Sequence, residues 1–243
     1  MIYELRNKVP PNSSFIRSED VLTSTIFGNL RYFSNQNLLV GFLNQSINVK
    51  NIPLKLFLED DYIIKFWGKY SMLDYGKINE PDLIILDKKN VVIIECKYFS
   101  SLDEEGDIVY DKNTYNNQLI RYSKIIEEYY SIKKEKTIIF LTNDRIIPID
   151  LLNNTMEKID DKIQLYWLSW SKIYKCLKQF NVDTLNRSEL LLYEDLLDFV
   201  KIRNLTEFCG FEIGYVPSFN FYRNIFCFSK MNSHGNIWRF KDE

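Results

Sequence analysis

Two apolar runs in the middle of the chain each end in charged residues that could do chemistry together. Asp82 directly precedes the run Leu83–Leu86, and the next run, residues 91–94, is followed by Glu95 and Lys97. An unpaired charge at the end of a buried strand is costly. Two carboxylates and a lysine, however, are groups that can bind a divalent cation and act on a water molecule beside it. The pattern predicts a metal site at the ends of two strands.

The polar residues between the two runs predict a β-hairpin. The Asp-Lys-Lys-Asn sequence at 87–90 is typical turn material between β-branched residues. If the turn is centred on its two lysines, Asp82 lies opposite Glu95, with Cβ atoms about 4.5–5.5 Å apart. Side chains two apart on a strand share a face, so Lys97 joins the two acids while the side chain of Cys96 points away. Carboxylates this close repel unless a cation lies between them, which favours Mg²⁺ or Mn²⁺.

Two residues of a later helix could complete this site, and an acid lies early in the first predicted helix. Glu19 follows Ser18, a good N-cap, and therefore falls in the first turn of a predicted helix. Gln118 and Tyr122 are four apart on one face of a later predicted helix, where an amide and a phenol could hold a lysine, a phosphate or a base. Structural explanations stay open for all of them. The helix dipole alone favours an acid at Glu19, Tyr122 could be a core aromatic, and the hairpin charges could mark where strands reach solvent.

The periodicity of apolar residues predicts the elements that position this site. Helices are predicted over residues 19–33, 36–48, 114–134, 171–180 and 187–202, the last capped by Asn186 or Ser188. Strands are predicted over residues 63–70, 83–86, 91–94, 137–142 and 162–170. This order predicts an α/β fold with a central sheet flanked by helices. Residues 181–243 are predicted to form a C-terminal extension, first helical and then rich in aromatic residues, packed on the same domain.

The composition argues against several other kinds of protein. The chain has 31 basic and 33 acidic residues, so it lacks the strongly basic character of proteins that coat nucleic acid non-specifically. A single histidine and four widely spaced cysteines argue against a His/Cys zinc site and against histidine-dependent nucleophilic catalysis. No apolar run reaches membrane-spanning length, and the first residues lack the apolar core of a signal peptide. We therefore expect a cytoplasmic protein with no membrane partner.

The candidate residues resemble the motifs of the PD-(D/E)XK nuclease superfamily, including the Gln-x-x-x-Tyr motif of its RecB-like branch. The matching positions, in four elements that follow the family's order, are Glu19, Pro81, Asp82, Glu95, Lys97, Gln118 and Tyr122. The resemblance covers about residues 18–168. It implies a restriction-endonuclease-like core, a mixed sheet flanked by helices, within residues 1–180.

The resemblance also implies a metal-dependent deoxyribonuclease that uses Mg²⁺ or Mn²⁺ and hydrolyses phosphodiester bonds. The implied metal ligands are Asp82, Glu95, Glu19 and the backbone carbonyl of Cys96, with Asp20 as the neighbour that could be meant instead of Glu19. The implied catalytic residues are the same three acids together with Lys97, Gln118 and Tyr122. Members of this superfamily often act in restriction, repair or antiviral defence, so an anti-phage role is expected, with DNA a better candidate substrate than RNA. The small net charge favours help from a homodimer or a partner subunit in binding nucleic acid.

Two other classes of function stay open at this point. The chain could be a catalytically inactive subunit that keeps the nuclease fold and binds nucleic acid or assembles a complex. In that case Glu95 and Lys97 would form a structural ion pair. It could also be an α/β scaffold without a nucleic-acid partner. Cleavage assays distinguish the inactive subunit from the nuclease. Nucleic-acid binding assays at low salt distinguish the scaffold from both.

Overall fold

A five-stranded mixed β-sheet forms the centre of the fold in the computed structural model, which describes residues 18–71, 78–98 and 118–206. The strands are β1 (Ile63–Phe66), β2 (Tyr70–Ser71), β3 (Ile78–Asn79), β4 (Leu83–Leu86), β5 (Asn90–Cys96), β6 (Glu135–Thr142) and β7 (Ile163–Ser169). The sheet order is β1-β4-β5-β6-β7, antiparallel from β1 to β5 and parallel from β5 to β7. Strands β2 and β3 form a separate antiparallel pair. The prediction of an α/β fold with a central mixed sheet is confirmed.

Helices cover both faces of this sheet. They are α1 (Glu19–Leu30), α2 (Asn37–Leu43), α3 (Gln118–Tyr129), α4 (Ile149–Met156), α5 (Lys172–Gln179) and α6 (Arg187–Ile202), with a short 3₁₀ helix at Val182–Thr184. Helices α1, α2, α5 and α6 share one apolar core with the sheet, and α3 and α4 share a second core on its other face. Because both faces are covered, the central strands read as continuous apolar runs.

The alternation along β5 decides which layer each side chain meets. Val92, Ile94 and Cys96 pack in the core beneath α1, while Val91 and Ile93 pack in the core beneath α3. By the same period of two, the side chain of Glu95 lies on the α3 face.

The β4–β5 hairpin has the register predicted from its turn. Leu86 pairs with Val91 and Leu83 pairs with Ile94. The Asp87 carboxylate closes the turn by accepting hydrogen bonds from the backbone N–H groups of Lys89 (2.7 Å) and Asn90 (2.6 Å). It also accepts from the Asn90 side chain (2.7 Å) and from the backbone N–H of Glu59 (3.0 Å). Extending this register by one pair brings Asp82 opposite Glu95.

We expect Asp87→Ala to lower the free energy of unfolding by about 2–4 kcal/mol, because hydrogen bonds to a buried charged acceptor each contribute about 1.5–3 kcal/mol and several are lost together. Burial acts to raise the pKa of Asp87, but the donors around it outweigh burial and hold the pKa below its ordinary value of 3.8. The stabilisation is therefore present above pH 3.8 and is lost as the pH falls through the folded-state pKa. Urea unfolding of both proteins over this pH range measures it.

Asp61→Ala is the matched control, because Asp61 pairs with Lys88 of the same turn at 3.1 Å but both side chains are exposed. Exposed ion pairs contribute little, so this variant should unfold almost as the wild type does. If Asp87→Ala lowered the free energy of unfolding by the same amount down to low pH, the ionised Asp87 carboxylate would not be the source of the stabilisation.

Several predicted elements have different bounds in the structure: the first helix ends at Leu30 rather than at Phe33, and the helix predicted to reach Lys134 ends at Tyr129. The strand predicted over residues 63–70 is divided in the structure: β1 ends at Phe66, Trp67 adopts a positive φ of 47°, and Tyr70 pairs with β3 instead. The second helix ends at Leu43 rather than at Asn48. The link between β6 and β7 contains α4, which the sequence left as helical or irregular.

Helix α6 has the predicted bounds and the predicted cap. The Asn186 side chain accepts from the N–H groups of Ser188 and Glu189, and the Glu189 side chain accepts from the N–H of Asn186. This reciprocal capping box satisfies donors that the first helical turn leaves open. Apolar residues of α6 pack into the core that α1 and α5 share with the sheet.

All described residues belong to the first of two compact units, Met1–Phe208. The described part of the predicted extension, residues 181–206, therefore lies in the same unit as the sheet. The aromatic segment from residue 208 onward lies outside the described residues. Among the helices that are described, none combines the length and the apolar character needed to cross a membrane.

Candidate functional site

Asp82 lies at the start of β4, where two hydrogen bonds hold its backbone and its side chain. Its carbonyl oxygen accepts from the backbone N–H of Trp67 (3.2 Å), which continues the β1–β4 pairing one step beyond Phe66. Its Oδ2 accepts from the backbone N–H of Cys96 (2.8 Å). The Asp82 carboxylate is therefore held at the end of β5, next to Glu95, the second acid of the site.

Glu95 is the most deeply buried acid of the site, with 1% of its surface exposed. Its Oε1 lies 2.8 Å from the Nζ of Lys97, and its Oε2 accepts a hydrogen bond of 2.7 Å from the hydroxyl of Tyr122. Tyr122 projects from α3, one turn after Gln118. Strand β5 and helix α3 thus fix both oxygens of this carboxylate.

Glu19 joins the site from the other helical layer. Its Oε1 lies 3.6 Å from the Nζ of Lys97, and its Oε2 accepts a hydrogen bond of 2.6 Å from the backbone N–H of Tyr98. Helix α1 begins here because the Ser18 side chain accepts from the N–H of Val21, the bond expected of an N-cap. The ammonium of Lys97 therefore lies between an acid from β5 and an acid from α1.

The electrostatics show an excess of negative charge around one lysine. Burial and the charge of Glu95 raise the pKa of Asp82 from 3.8 to about 8. Burial also raises the pKa of Glu95, although Lys97 and the Tyr122 hydroxyl act in the opposite direction. Burial lowers the pKa of Lys97, but Glu95, Glu19 and Asp82 outweigh it, so the pKa of Lys97 is raised overall. Lys97 is consequently an ammonium ion at neutral pH.

The side-chain oxygen of Gln118 is a buried hydrogen-bond acceptor on the helix that carries Tyr122. This oxygen, Oε1, is enclosed and has no hydrogen-bond donor within the described residues. Gln118 begins α3 and shares a helical face with Tyr122, whose hydroxyl reaches Glu95. An enclosed acceptor on this face could receive a hydrogen bond from a ligand or a water molecule.

The donor set suits a hard divalent cation. Asp82 and Glu95 offer carboxylate oxygens on one face of the sheet, and Mg²⁺ often uses only one or two carboxylates together with water and substrate oxygens. Burial and the charge of Glu95 raise the pKa of Asp82 even with Lys97 close by, and a bound cation would act against both effects. Over the three described ranges, no group of three or more His, Cys, Asp or Glu side chains has an arrangement that could hold a metal ion. Asp82 and Glu95 are the two residues whose carboxylates could hold such a cation.

The structure brings together five of the predicted site residues, Glu19, Asp82, Glu95, Lys97 and Tyr122, and it places Gln118 one helical turn from Tyr122. The Cys96 thiol is buried in the α1 core, as the alternation predicted, and its N–H holds Asp82. A metal-binding role for the Cys96 carbonyl stays a prediction.

Sequence reasoning missed two residues that support the site, Tyr98 and Arg203. Tyr98 directly follows Lys97 and binds Glu19 through its backbone, which no side-chain motif signals. Arg203 lies in a distant segment, and its contacts with Ser18 and Tyr98 follow only from the tertiary fold.

No family model, curated protein or solved structure matches this chain.

Proposed function

We propose that the chain is a metal-dependent nuclease that hydrolyses phosphodiester bonds, with DNA as the substrate and Mg²⁺ or Mn²⁺ as the cofactor. The observation that carries the proposal is the convergence of Asp82, Glu95 and Lys97 at one end of the sheet. The order of α1, the antiparallel hairpin, α3 and the parallel strand β6 supports a restriction-endonuclease-like core as part of the same proposal. A role in restriction or anti-phage defence rests on the sequence resemblance alone.

Each residue has a role in this proposal that follows from its contacts. Asp82 and Glu95 would hold the cation, which when bound supplies an activated water and neutralises charge on the phosphoryl oxygens. Lys97, kept protonated by the acids around it, donates hydrogen bonds that orient the water or a phosphoryl oxygen. Tyr122 fixes the orientation of Glu95, and Glu19 holds the ammonium of Lys97 from the other side.

The lysines at the turn end of the hairpin contact protein groups. Lys88 and Lys89 pair with Asp61 (3.1 Å) and Glu59 (3.0 Å). The ammonium of Lys133 donates to the carbonyl oxygens of Asp87 and Lys88. These lysines are therefore already engaged by protein groups. With a net charge of −2, we propose that a homodimer or a partner subunit adds to the grip on the polynucleotide.

The proposal is tested by incubating the protein with plasmid, linear and single-stranded DNA and with RNA, in Mg²⁺ or in Mn²⁺. We expect DNA cleavage that chelation abolishes and that Asp82→Asn lowers by about 100-fold or more, since even residues that only support metal ligands cost about 10–100-fold when mutated. Asparagine keeps an oxygen that can accept the hydrogen bond from the Cys96 N–H, so the backbone contact is preserved.

Asp150→Asn is the control for this experiment, because Asp150 is exposed in the first turn of α4 and takes part in none of the contacts that hold Asp82, Glu95 or Lys97. It should cleave like the wild type. Equal cleavage by Asp82→Asn and by the wild type would overturn the assignment of the site.

A second candidate is a catalytically inactive subunit that binds nucleic acid or assembles a complex. The 2.8 Å contact between Glu95 and Lys97 favours it, because a direct ion pair of this kind can be purely structural. Binding of DNA at low salt, with no cleavage of any substrate in either metal, would support this candidate over the nuclease.

A further inference from the structure

Arg203, at the C-terminal end of α6, is a buried cation without a carboxylate partner among the described residues. Only 2% of its surface is exposed. Its Nη2 donates a 2.7 Å hydrogen bond to the carbonyl oxygen of Ser18, while its Nε and Nη1 are buried without an acceptor in the part of the chain that the structure describes. Burial lowers the pKa of this guanidinium. A desolvated charge is costly, so its contacts need an explanation.

The Arg203 guanidinium lies 5.8 Å from the centroid of the Phe199 ring of α6, and Arg203 makes two further contacts with Tyr98, the residue that follows Lys97. The guanidinium lies over the Tyr98 ring, 4.6 Å from its centroid, and the Tyr98 hydroxyl donates a 2.8 Å hydrogen bond to the Arg203 carbonyl oxygen. Cation–π contacts strengthen when the cation is desolvated. Arg203 therefore binds Tyr98 twice, once through its side chain and once through its backbone.

Two of these partners stand next to residues of the candidate site. Ser18 precedes Glu19, and Tyr98 follows Lys97. The same two segments also meet directly, because the Tyr98 N–H donates to Glu19 Oε2 (2.6 Å) and Lys97 Nζ lies 3.6 Å from Glu19 Oε1. Arg203 thus joins the start of α1 to the end of β5 where Glu19 faces Lys97.

We propose that Arg203 is a positioning residue for the candidate site. Acting through the Ser18 carbonyl and the Tyr98 ring, it holds the Glu19 carboxylate against the Tyr98 N–H and the Lys97 ammonium. The contacts of Arg203 do not depend on the proposed function. Only its expected effect on cleavage rests on that function. Because Arg203 is enclosed, it acts on the site through these neighbours and does not touch a substrate.

Hydrogen exchange of the Tyr98 amide tests this proposal directly, in metal-free protein without nucleic acid. The Tyr98 N–H donates to Glu19, whereas the neighbouring Lys97 N–H donates to the Leu141 carbonyl inside the sheet (2.7 Å). We expect Arg203→Met to speed exchange at Tyr98 about tenfold relative to exchange at Lys97, the size expected for losing one charge-assisted hydrogen bond. The Lys97 amide serves as the internal reference.

Leu196→Ala is the control for a general loss of stability. Leu196 is buried in α6 about two helical turns before Arg203. It should speed exchange at Tyr98 and Lys97 together, because both amides then report the same global opening. Arg203→Lys, which keeps a cation able to donate to the Ser18 carbonyl, should restore part of the Tyr98 protection.

An unchanged ratio of Tyr98 to Lys97 exchange in Arg203→Met would overturn the proposal. If that variant does not fold, Tyr98→Phe replaces it, because phenylalanine keeps the ring under the guanidinium and loses only the hydroxyl bond. The ratio should then rise, and an unchanged ratio would equally overturn the proposal.

Cleavage assays give a separate readout. We expect Arg203→Met to lower kcat about tenfold with KM close to the wild-type value, because the residue positions Glu19 and does not bind substrate. A wild-type protein that cleaves no substrate would defeat the proposed function, while the exchange ratio would still decide the role of Arg203.

Discussion

Replacing Lys97 with methionine is expected to slow DNA cleavage by about 10²–10⁴-fold, the range typical of removing a group that assists proton transfer or orients the attacking water. Methionine preserves most of the length and the apolar stem of the side chain but removes the ammonium. The measurement is the single-turnover cleavage rate in Mg²⁺. Lys158→Met, at an exposed position after α4, is the matched control and should cleave at the wild-type rate.

The same variant should lose stability, because it leaves the Glu95 carboxylate buried without its ion pair. Breaking a buried pair by removing one partner costs about 3–5 kcal/mol. The double variant Lys97→Met/Glu95→Gln removes both charges, and the glutamine oxygen can still accept the hydrogen bond from Tyr122. We expect the double variant to recover much of the free energy of unfolding.

This double variant separates the two candidate functions. If Lys97 acts in cleavage, the refolded double variant stays inactive although its stability returns. If Glu95 and Lys97 are only a structural pair, any activity of the protein returns together with its stability. Cleavage by the double variant near the wild-type rate would therefore remove both residues from the proposed site.

Divalent cations are expected to stabilise the folded wild-type protein and to have little effect on Asp82→Asn. A ligand that binds only the folded state at 100 times its Kd adds about 2.7 kcal/mol to the free energy of unfolding. The gain should be large here because a cation between Asp82 and Glu95 would act against both the burial and the repulsion by Glu95 that raise the pKa of Asp82 to about 8. Urea unfolding at increasing Mn²⁺ or Mg²⁺ measures the gain, and Asp150→Asn should respond like the wild type.

A second measurement is the pH dependence of the free energy of unfolding in metal-free protein. The folded-state pKa of Asp82 lies above its ordinary value of 3.8, so the folded protein holds this proton to higher pH than the unfolded chain does. The contribution of Asp82 to stability therefore falls as the pH rises from 3.8 to about 8. The charged groups that face it are Glu95 and Lys97 of the hairpin and Glu19 of α1.

Asp82→Asn should remove this part of the pH dependence and should be more stable than the wild type near pH 8 without metal. Two results would contradict the metal site. One is a wild-type protein whose unfolding does not respond to Mn²⁺ or Mg²⁺, and the other is an equal response in Asp82→Asn.

The hairpin and its acids could be predicted from the sequence because short-range rules determine them. The turn residues at 87–90 set the register, and the period of two along each strand then decides which side chains share a face. Asp82, Glu95 and Lys97 follow from these two rules without any knowledge of distant contacts. Helix α6 was predictable for a similar reason, since its cap at Asn186 and its apolar spacing are local features.

The limits of β1 could not be read from local propensity. Residues 63–70 have a strand-like composition, yet β1 ends before Trp67, which has a positive φ, and Tyr70 belongs to a different sheet. The Trp67 N–H still continues the β1–β4 pairing by donating to the Asp82 carbonyl, and so helps to hold the first acid. Apolar periodicity does not specify a positive φ at a single residue.

The amino-acid sequence by itself determined the pair of acids and the lysine on one hairpin, because turn chemistry and strand alternation act over a few residues. Only the tertiary structure decided that Glu19 reaches Lys97 from the opposite helical layer. It alone also brought Arg203 to the carbonyl of Ser18, 185 residues away in the chain. The physical reason is that such contacts arise when helices pack on the two faces of the sheet. No local pattern of residue types specifies which distant segments will then meet.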